Sequence, residues 1–250
     1  MQLSGDGIVL SCSRLGENNH ILSTFTRDHG RVNGLVRKPT AATQGLYQTG
    51  NLIHIVWQAR LADHLGAIKA EMHRPLAAQF MTMGPVMLAM QAACGWCQLS
   101  LPDQQPYPVL YDSLLNLLGN LQGQDWMLAY ALWEVNLLQH LGFGLDLSAC
   151  AVTGAQDNLT HISPKTGRAV SRDAAQPWLD KLLRLPDFVY QFYANDNWPQ
   201  AINDNLPQSD ILDSLRLSGY FLDQHILNPR RKSAPTARGL LIRKLELLQA

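Results

Sequence analysis

The chain has 250 residues and a mass of 27.8 kDa, enough for two domains with real cores and too much for a disulfide-stapled mini-protein. Hydrophobic residues make up 46% and charged residues 16%, with no apolar run near the length of a membrane span, so neither a disordered chain nor a membrane protein is expected. Basic and acidic residues stand at 20 each, giving a formal net charge of zero, which argues against a uniformly basic nucleic-acid coat protein.

The first residues, Met1 to Asp6, contain no basic stretch leading into an apolar segment, which predicts a cytoplasmic protein. Four cysteines, Cys12, Cys94, Cys97 and Cys150, are too few and too scattered for a disulfide framework and read as reduced thiols.

In chain order, Gly7 to Ser13, Ile21 to Thr26, Arg31 to Arg37, Leu52 to Trp57 and Leu65 to Ala70 are short β-compatible runs separated by turn signals such as Asp28-His29-Gly30. Five such strands in under 80 residues predict a small barrel. In the third run, alternation puts Arg31, Asn33, Leu35 and Arg37 on one face and Val32 and Val36 on the other, so one face is basic and one is core. Pro39 to Gly45 has no apolar anchor and reads as a mobile loop.

After Arg74-Pro75 the pattern turns helical: Leu76 to Trp96, Tyr107 to Leu121, Gln124 to Leu141, Gln208 to Leu227 and Pro235 to Leu248. The third of these is apolar almost all round, with Trp126, Tyr130, Trp133, Leu137 and Leu141 at helical spacing, and is expected at the centre of a bundle.

Charge is segregated along this order. Residues 1–80 carry a net charge of +3, the stretch from Pro75 to Pro164 contains no lysine or arginine and carries −6, and Arg216 to Lys244 carries +6. Phosphate binding depends on local cation density, so overall neutrality is compatible with binding DNA. Arginine outnumbers lysine 14 to 6, and a guanidinium fork suits bidentate phosphate contacts.

Signatures of catalysis are missing: there is no phosphate loop, no complete dinucleotide fingerprint, no nucleophile elbow and no His-Glu-x-x-His. Eight histidines show no ligand-like pairing four residues apart. Cys94-Gly95-Trp96-Cys97 is an isolated C-x-x-C at the end of an apolar helix, and ordinary buried cysteines are the expected reading. No enzyme activity, cofactor or metal is therefore expected. A hydrolase or transferase would require a cleft pairing His140 with a carboxylate such as Glu134.

Three segments resemble the RecO family of recombination mediators. Gly7 to Ser11 through Arg14-x-x-Glu17, then Phe25-Thr26-Arg27-Asp28-His29-Gly30-Arg31-Val32, is similar to the family's amino-terminal barrel. Leu137-Leu138-x-x-Leu141-Gly142-Phe143-x-x-Asp146-Leu147-x-x-Cys150-Ala151-Val152-x-Gly154 resembles its central helix running into a zinc-finger region, and Leu215 to Leu227 with Ser233 to Leu241 resembles its closing helices. The resemblance implies an α+β fold, with an N-terminal five-stranded OB-type barrel over residues 1–75. An all-helical domain over 76–250 would follow, with a small finger insertion at about 150–175. It also implies binding of single- and double-stranded DNA, annealing of complementary strands, recognition of the C-terminal tail of the single-stranded-DNA-binding protein, work with RecR to load RecA, and a nucleoid-associated place in the cytoplasm with no membrane.

The chain departs from the family pattern in three places. Thr153, Ser171 and Ala174 stand where relatives carry three further zinc thiols beside Cys150, so the finger is expected to be zinc-less. Only Arg37 and Lys38 precede the neutral loop after the third strand. Tyr130 to Glu134 lacks the family's basic residues, so an acidic partner tail would need cations from the carboxyl-terminal segment. The candidate DNA-binding residues are Arg14, Arg27, Arg31, Arg37 and Lys38 on the barrel and Arg230, Arg231, Lys232, Arg238, Arg243 and Lys244 near the C-terminus. The competing reading is a protein-interaction adaptor, using its apolar central helix and acidic middle, with only indirect DNA contact.

Overall fold

The structure, a computed structural model, describes residues 1–41, 43–61, 64–195 and 206–247. It divides into two compact units. The first comprises Met1–Trp126 with Pro235–Leu241, and the second Met127–Ala234 with Ile242–Ala250.

The first unit opens with a closed barrel of five strands, β1 (Gln2–Leu15), β2 (Asn19–Thr26), β3 (Gly30–Arg37), β4 (Leu52–Gln58) and β5 (Ala67–Arg74), in the order β1-β2-β3-β5-β4. This is the OB arrangement, antiparallel throughout except where β3 and β5 run parallel and close the cylinder. All five predicted strands are present. β1 is about twice as long as its apolar pattern suggests, because its polar first half pairs with β4 and its second half with β2. A register shift between Val9 and Ser11 bends it around the barrel.

Alternation fills the interior with Val9, Leu22, Val32, Val36, Ile53, Ile55, Trp57 and Ile68. The Trp57 indole N–H, fully buried, donates to the Asn33 and Leu65 carbonyls at 3.0 and 3.2 Å, so this donor is satisfied within the barrel. The segment read as a mobile loop folds, in its described residues, into hydrogen-bonded turns: Thr43 and Gln44 donate to the Thr40 carbonyl at 3.0 and 2.8 Å. Ala42 in that segment lies outside the described residues.

Outside the barrel, α1 (Gly84–Ser100) and α2 (Pro108–Asn120) complete the unit. The predicted start of α1 at Leu76 is instead a 3-10 turn over Ala77–Phe80, and the α-helix restarts at Gly84 with Pro85 in its first turn. Tyr111 of α2 stands edge-on to Phe25 of β2, with ring centroids 5.5 Å apart.

In the second unit, α3 (Trp126–His140) is buried on all sides, as its sequence predicts. The insertion that follows carries β6 (Leu159–Ile162), β7 (Ala169–Ser171), α4 (Arg172–Ala175), β8 (Leu183–Arg184) and α5 (Asp187–Asn195), with the strands in the order β7-β6-β8. Arg184 ties this small sheet to α6 (Gln208–Leu222) through Asp210 at 3.2 Å and Asp213 at 3.1 Å. The predicted helix over Gln208 to Leu227 is α6 followed by a π-helical turn over Asp223–Leu227, and the short α7 (Asn228–Arg230) continues it. The last helix, α8, spans Thr236–Leu247, and Leu248 of its predicted range lies outside the described residues.

Candidate nucleic-acid interface

The sequence-predicted cations separate into three that hold the first unit together and others that are exposed. Arg27 grips Asp112 of α2 with both ends of its fork, Nε and Nη2 each lying 3.0 Å from a carboxylate oxygen. Arg31 is only 15% exposed in its side chain. Its Nε donates to Asp103 at 2.7 Å, its Nη1 donates to the Gln98 carbonyl, and Asn33 donates to the same Asp103 oxygen at 2.7 Å. Arg238 is buried, its guanidinium 5.7 Å from the centre of the Trp96 ring. These three arginines fasten the first unit together: Arg27 and Arg31 through charge-assisted pairs, Arg238 through cation–π packing.

Arg14, Arg37 and Lys38 are exposed and lie at one end of the barrel. Arg14 faces His20 across the β1–β2 ladder, Asn19 faces Arg37 across β2–β3, and the Lys38 N–H donates to the Asn18 carbonyl at 2.9 Å. The Arg14 Nε caps the intervening turn at the Gly16 carbonyl, 2.8 Å away. Glu17 in that turn reduces the positive charge without cancelling it.

Lys69 belongs with this group and escapes a reading of the sequence alone. β3 and β5 pair in parallel with Leu35 opposite Ala67. Two residues further along both strands stand Arg37 and Lys69, both exposed, while their neighbours Val36 and Ile68 point into the core. The strand order brings together the segments that carry the two cations although 32 positions separate them, and only knowledge that β5 closes against β3 would have grouped them. Among the described residues, no ion pair holds Arg14, Arg37, Lys38 or Lys69.

In the second unit, Arg230, Arg231 and Lys232 are exposed at a sharp turn where Arg231 takes left-handed backbone angles. Arg243 and Lys244 are exposed on the second half of α8.

The remaining candidate chemistry resolves on geometry. Glu134 and His140 are not a catalytic pair. Glu134 accepts hydrogen bonds from Tyr130 and Ser218, His140 lies 3.2 Å from Asn136, and burial lowers the His140 pKa. In the finger, Cys150 accepts from the Ser171 N–H at 3.2 Å and the Ser171 hydroxyl at 3.4 Å. Burial opposes ionisation of this thiol, yet hydrogen bonds from Ser171 and Thr153 bring its pKa down to about 6. Ser171, at one of the positions where the family resemblance would place a further thiol, thus donates to this sulfur through both its N–H and its hydroxyl. With one thiol, two hydroxyls and the Ala174 methyl, the donor set does not fit a tetrahedral zinc ion.

Cys94 and Cys97 are fully buried in α1, and burial pushes the Cys94 thiol up to about 12 and raises Cys97 as well. Neither is a thiolate near neutral pH, and the thiolate is the reactive form. Native chain treated with a disulfide reagent at pH 8 is therefore expected to leave both unmodified by peptide mass analysis, and denatured chain to react at both. Rapid native labelling of either would restore a redox reading.

Comparison with known proteins identifies the family. Residues 1–76 match the family model described as Recombination protein O N terminal, and residues 85–235 match Recombination protein O C terminal. The chain belongs to the RecO family. It is 39% identical to the DNA repair protein RecO of Granulibacter bethesdensis over 99% of this chain and 97% of that protein. It is also 39% identical to the DNA repair protein RecO of a Ruegeria species, covering 96% of each. The DNA repair protein RecO of Rhodospirillum rubrum is 37% identical over 98% of this chain and 96% of its own length. Among the described residues, no helix is long and apolar enough to cross a membrane, and no group of three or more His, Cys, Asp or Glu side chains is arranged to hold a metal.

Proposed function

We propose that this chain is a DNA-repair mediator that holds DNA backbones by charge neutralisation and lets complementary single strands pair. In this reading it works with RecR to load RecA where the single-stranded-DNA-binding protein coats the strand, and it recognises that protein's tail. The observation that carries the reading is the exposed cationic end of an OB barrel, Arg14, Arg37, Lys38 and Lys69, in a chain of the RecO family. An OB barrel offers its second and third strands and flanking loops to oligonucleotides, and the β1–β2 turn and the end of β3 meet at this end. Arg230, Arg231, Lys232, Arg243 and Lys244 form the second set of contacts. Backbone neutralisation releases counterions and needs no nucleotide fuel. Arg27, Arg31 and Arg238 support the barrel and its helices, and their contribution to DNA is indirect.

The test is a salt series of single-strand affinity for the triple variant Arg37→Glu, Lys38→Glu, Lys69→Glu. Each lost phosphate contact removes about 0.7 from the slope of log affinity on log salt, so the slope should flatten by about two units. Arg31→Ala, run alongside, is expected to leave the slope unchanged while lowering stability by about 2 kcal/mol, because it removes the charge-assisted bond to Asp103 and the bond to the Gln98 carbonyl. A wild-type chain with no direct affinity for DNA at moderate salt would favour the adaptor reading instead. Pairing of complementary oligonucleotides coated with the single-stranded-DNA-binding protein, in the absence of ATP, tests the strand and partner functions together.

A further inference from the structure

The second unit contains a cavity of about 440 Å³ that none of the contacts above uses. Phe143 lines it from the segment after α3, Lys165 and Gly167 from the turn between β6 and β7, and Phe221, Gln224 and His225 from α6 and the π-helical turn. Three of these rings form one stack. His225 lies 4.4 Å from Phe143 with planes 6° apart, and 6.1 Å from Phe221 with planes 5° apart. Aromatic pairs pack either offset-stacked or edge to face; His225 takes the first arrangement with both phenylalanines, while Tyr220 and Phe221 meet at 85°. A parallel run keeps flat faces in register, and Phe143, covered on one face by His225, is still 37% exposed.

Two further features single the cavity out. His225 and Gln224 sit in the π-helical turn Asp223–Leu227, where the Asn228 N–H donates to the Asp223 carbonyl five residues back. Such turns carry one extra residue, disturb the regular helix ladder, and occur frequently at functional sites. At the rim, Lys165 is exposed and forms no ion pair among the described residues.

We propose that this cavity takes a nucleobase of a bound single strand, stacked on Phe143, with Lys165 against the adjoining phosphate and the Gln224 amide at the base edge. The site rests on the strand binding proposed above and gives the second unit a base contact in addition to its backbone contacts. A flat conjugated ligand matches the parallel ring faces, and any base can use them, so the contact carries little sequence preference. One cation in the lining suits a single phosphate better than the several carboxylates of an acidic peptide.

The experiment uses the full chain and an oligo-thymidine strand carrying one 2-aminopurine, whose emission is quenched on stacking. Wild type should bind and quench. Phe143→Ala should lose the quenching and bind about tenfold more weakly, within the range for one stacked base, and Phe143→Trp should keep both. Lys165→Glu, on an exposed turn where folding is not at stake, should flatten the salt slope by about 0.7. Phe143→Ala and Lys165→Glu variants that bind and quench like wild type would overturn this inference alone. Displacement by an acidic aromatic peptide, with the strand bound equally well by Phe143→Ala, would assign the cavity to a peptide and overturn it too. A wild-type chain that binds no strand would overturn the parent reading along with it.

Discussion

Replacing Gly30 by alanine is expected to cost the first unit about 2–5 kcal/mol. Gly30 opens β3 with φ at +67°, and an added Cβ would stand 1.9 Å from the Gln105 carbonyl oxygen. The left-handed conformation alone costs an L residue roughly 1–2 kcal/mol, and forcing an atom into a packed contact adds about 1–3 kcal/mol. Neither side can yield cheaply. The Gln104 N–H donates to the Arg31 carbonyl at 2.9 Å, and the Arg31 and Asn33 side chains hold Asp103. Gly16 supplies the control, because its φ is +68° with nothing within 4 Å of the added Cβ. Gly16→Ala should therefore lose only the backbone term, about 1 kcal/mol. Denaturant midpoints of the two variants measure the difference, and equal midpoints would mean that the α1–α2 connection gives way and is not the clamp described here.

The same clamp explains which part of the interface could be read from the sequence. Alternation along β3 correctly separates Val32 and Val36 from Arg31, Asn33 and Arg37, since a strand's two faces follow directly from residue order. It cannot tell a cation facing water from one facing a carboxylate 72 or 85 positions away, which is the fate of Arg31 and Arg27. The charge segregation along the chain therefore has two meanings. Part of the acidic middle, Asp103 and Asp112, pairs with Arg31 and Arg27 of the basic amino-terminal segment, whereas Arg14, Arg37, Lys38 and Lys69 are exposed and in no ion pair among the described residues. Lys69 shows the converse: an ordinary surface lysine by local pattern, it joins the segment that carries Arg37 only through the closure of β5 against β3.

The long helices were legible because their apolar spacing persists over several turns. The strands of the insertion were not, since β6, β7 and β8 span four, three and two residues, too short for any period to register. The π-helical turn was hidden for a different reason. Asp223–Leu227 continues the apolar face of α6, and its five-residue hydrogen bond has no signature in composition.

Glu134, which the sequence offers as a carboxylate that could pair with His140, has a different role in the fold and governs the second large prediction. It is fully buried in α3. The Tyr130 hydroxyl donates to its Oε2 and the Ser218 hydroxyl to its Oε1, both at 2.6 Å. The first bond lies within α3, and the second crosses to α6, so the carboxylate fixes which turn of α6 faces which turn of α3. An α3 that is apolar on every side offers many nearly equivalent dry packings, and one buried acceptor with two short bonds selects among them. Glu134→Ala should cost about 4 kcal/mol, combining a cavity with the loss of both bonds. Ser218 retains a bond to the Leu215 carbonyl at 3.3 Å, whereas the Tyr130 hydroxyl loses its 2.6 Å bond to the carboxylate. Glu134→Gln, which fills the space and keeps an acceptor, should cost about 1–2 kcal/mol. Tyr130→Phe added to Glu134→Ala should then cost less than it does in the wild-type background, because the hydroxyl it removes has already lost its acceptor. Denaturant unfolding of the four variants closes the cycle. Additive losses would show that the hydroxyl and the carboxylate act independently, and that the register of α3 against α6 is set by apolar packing instead.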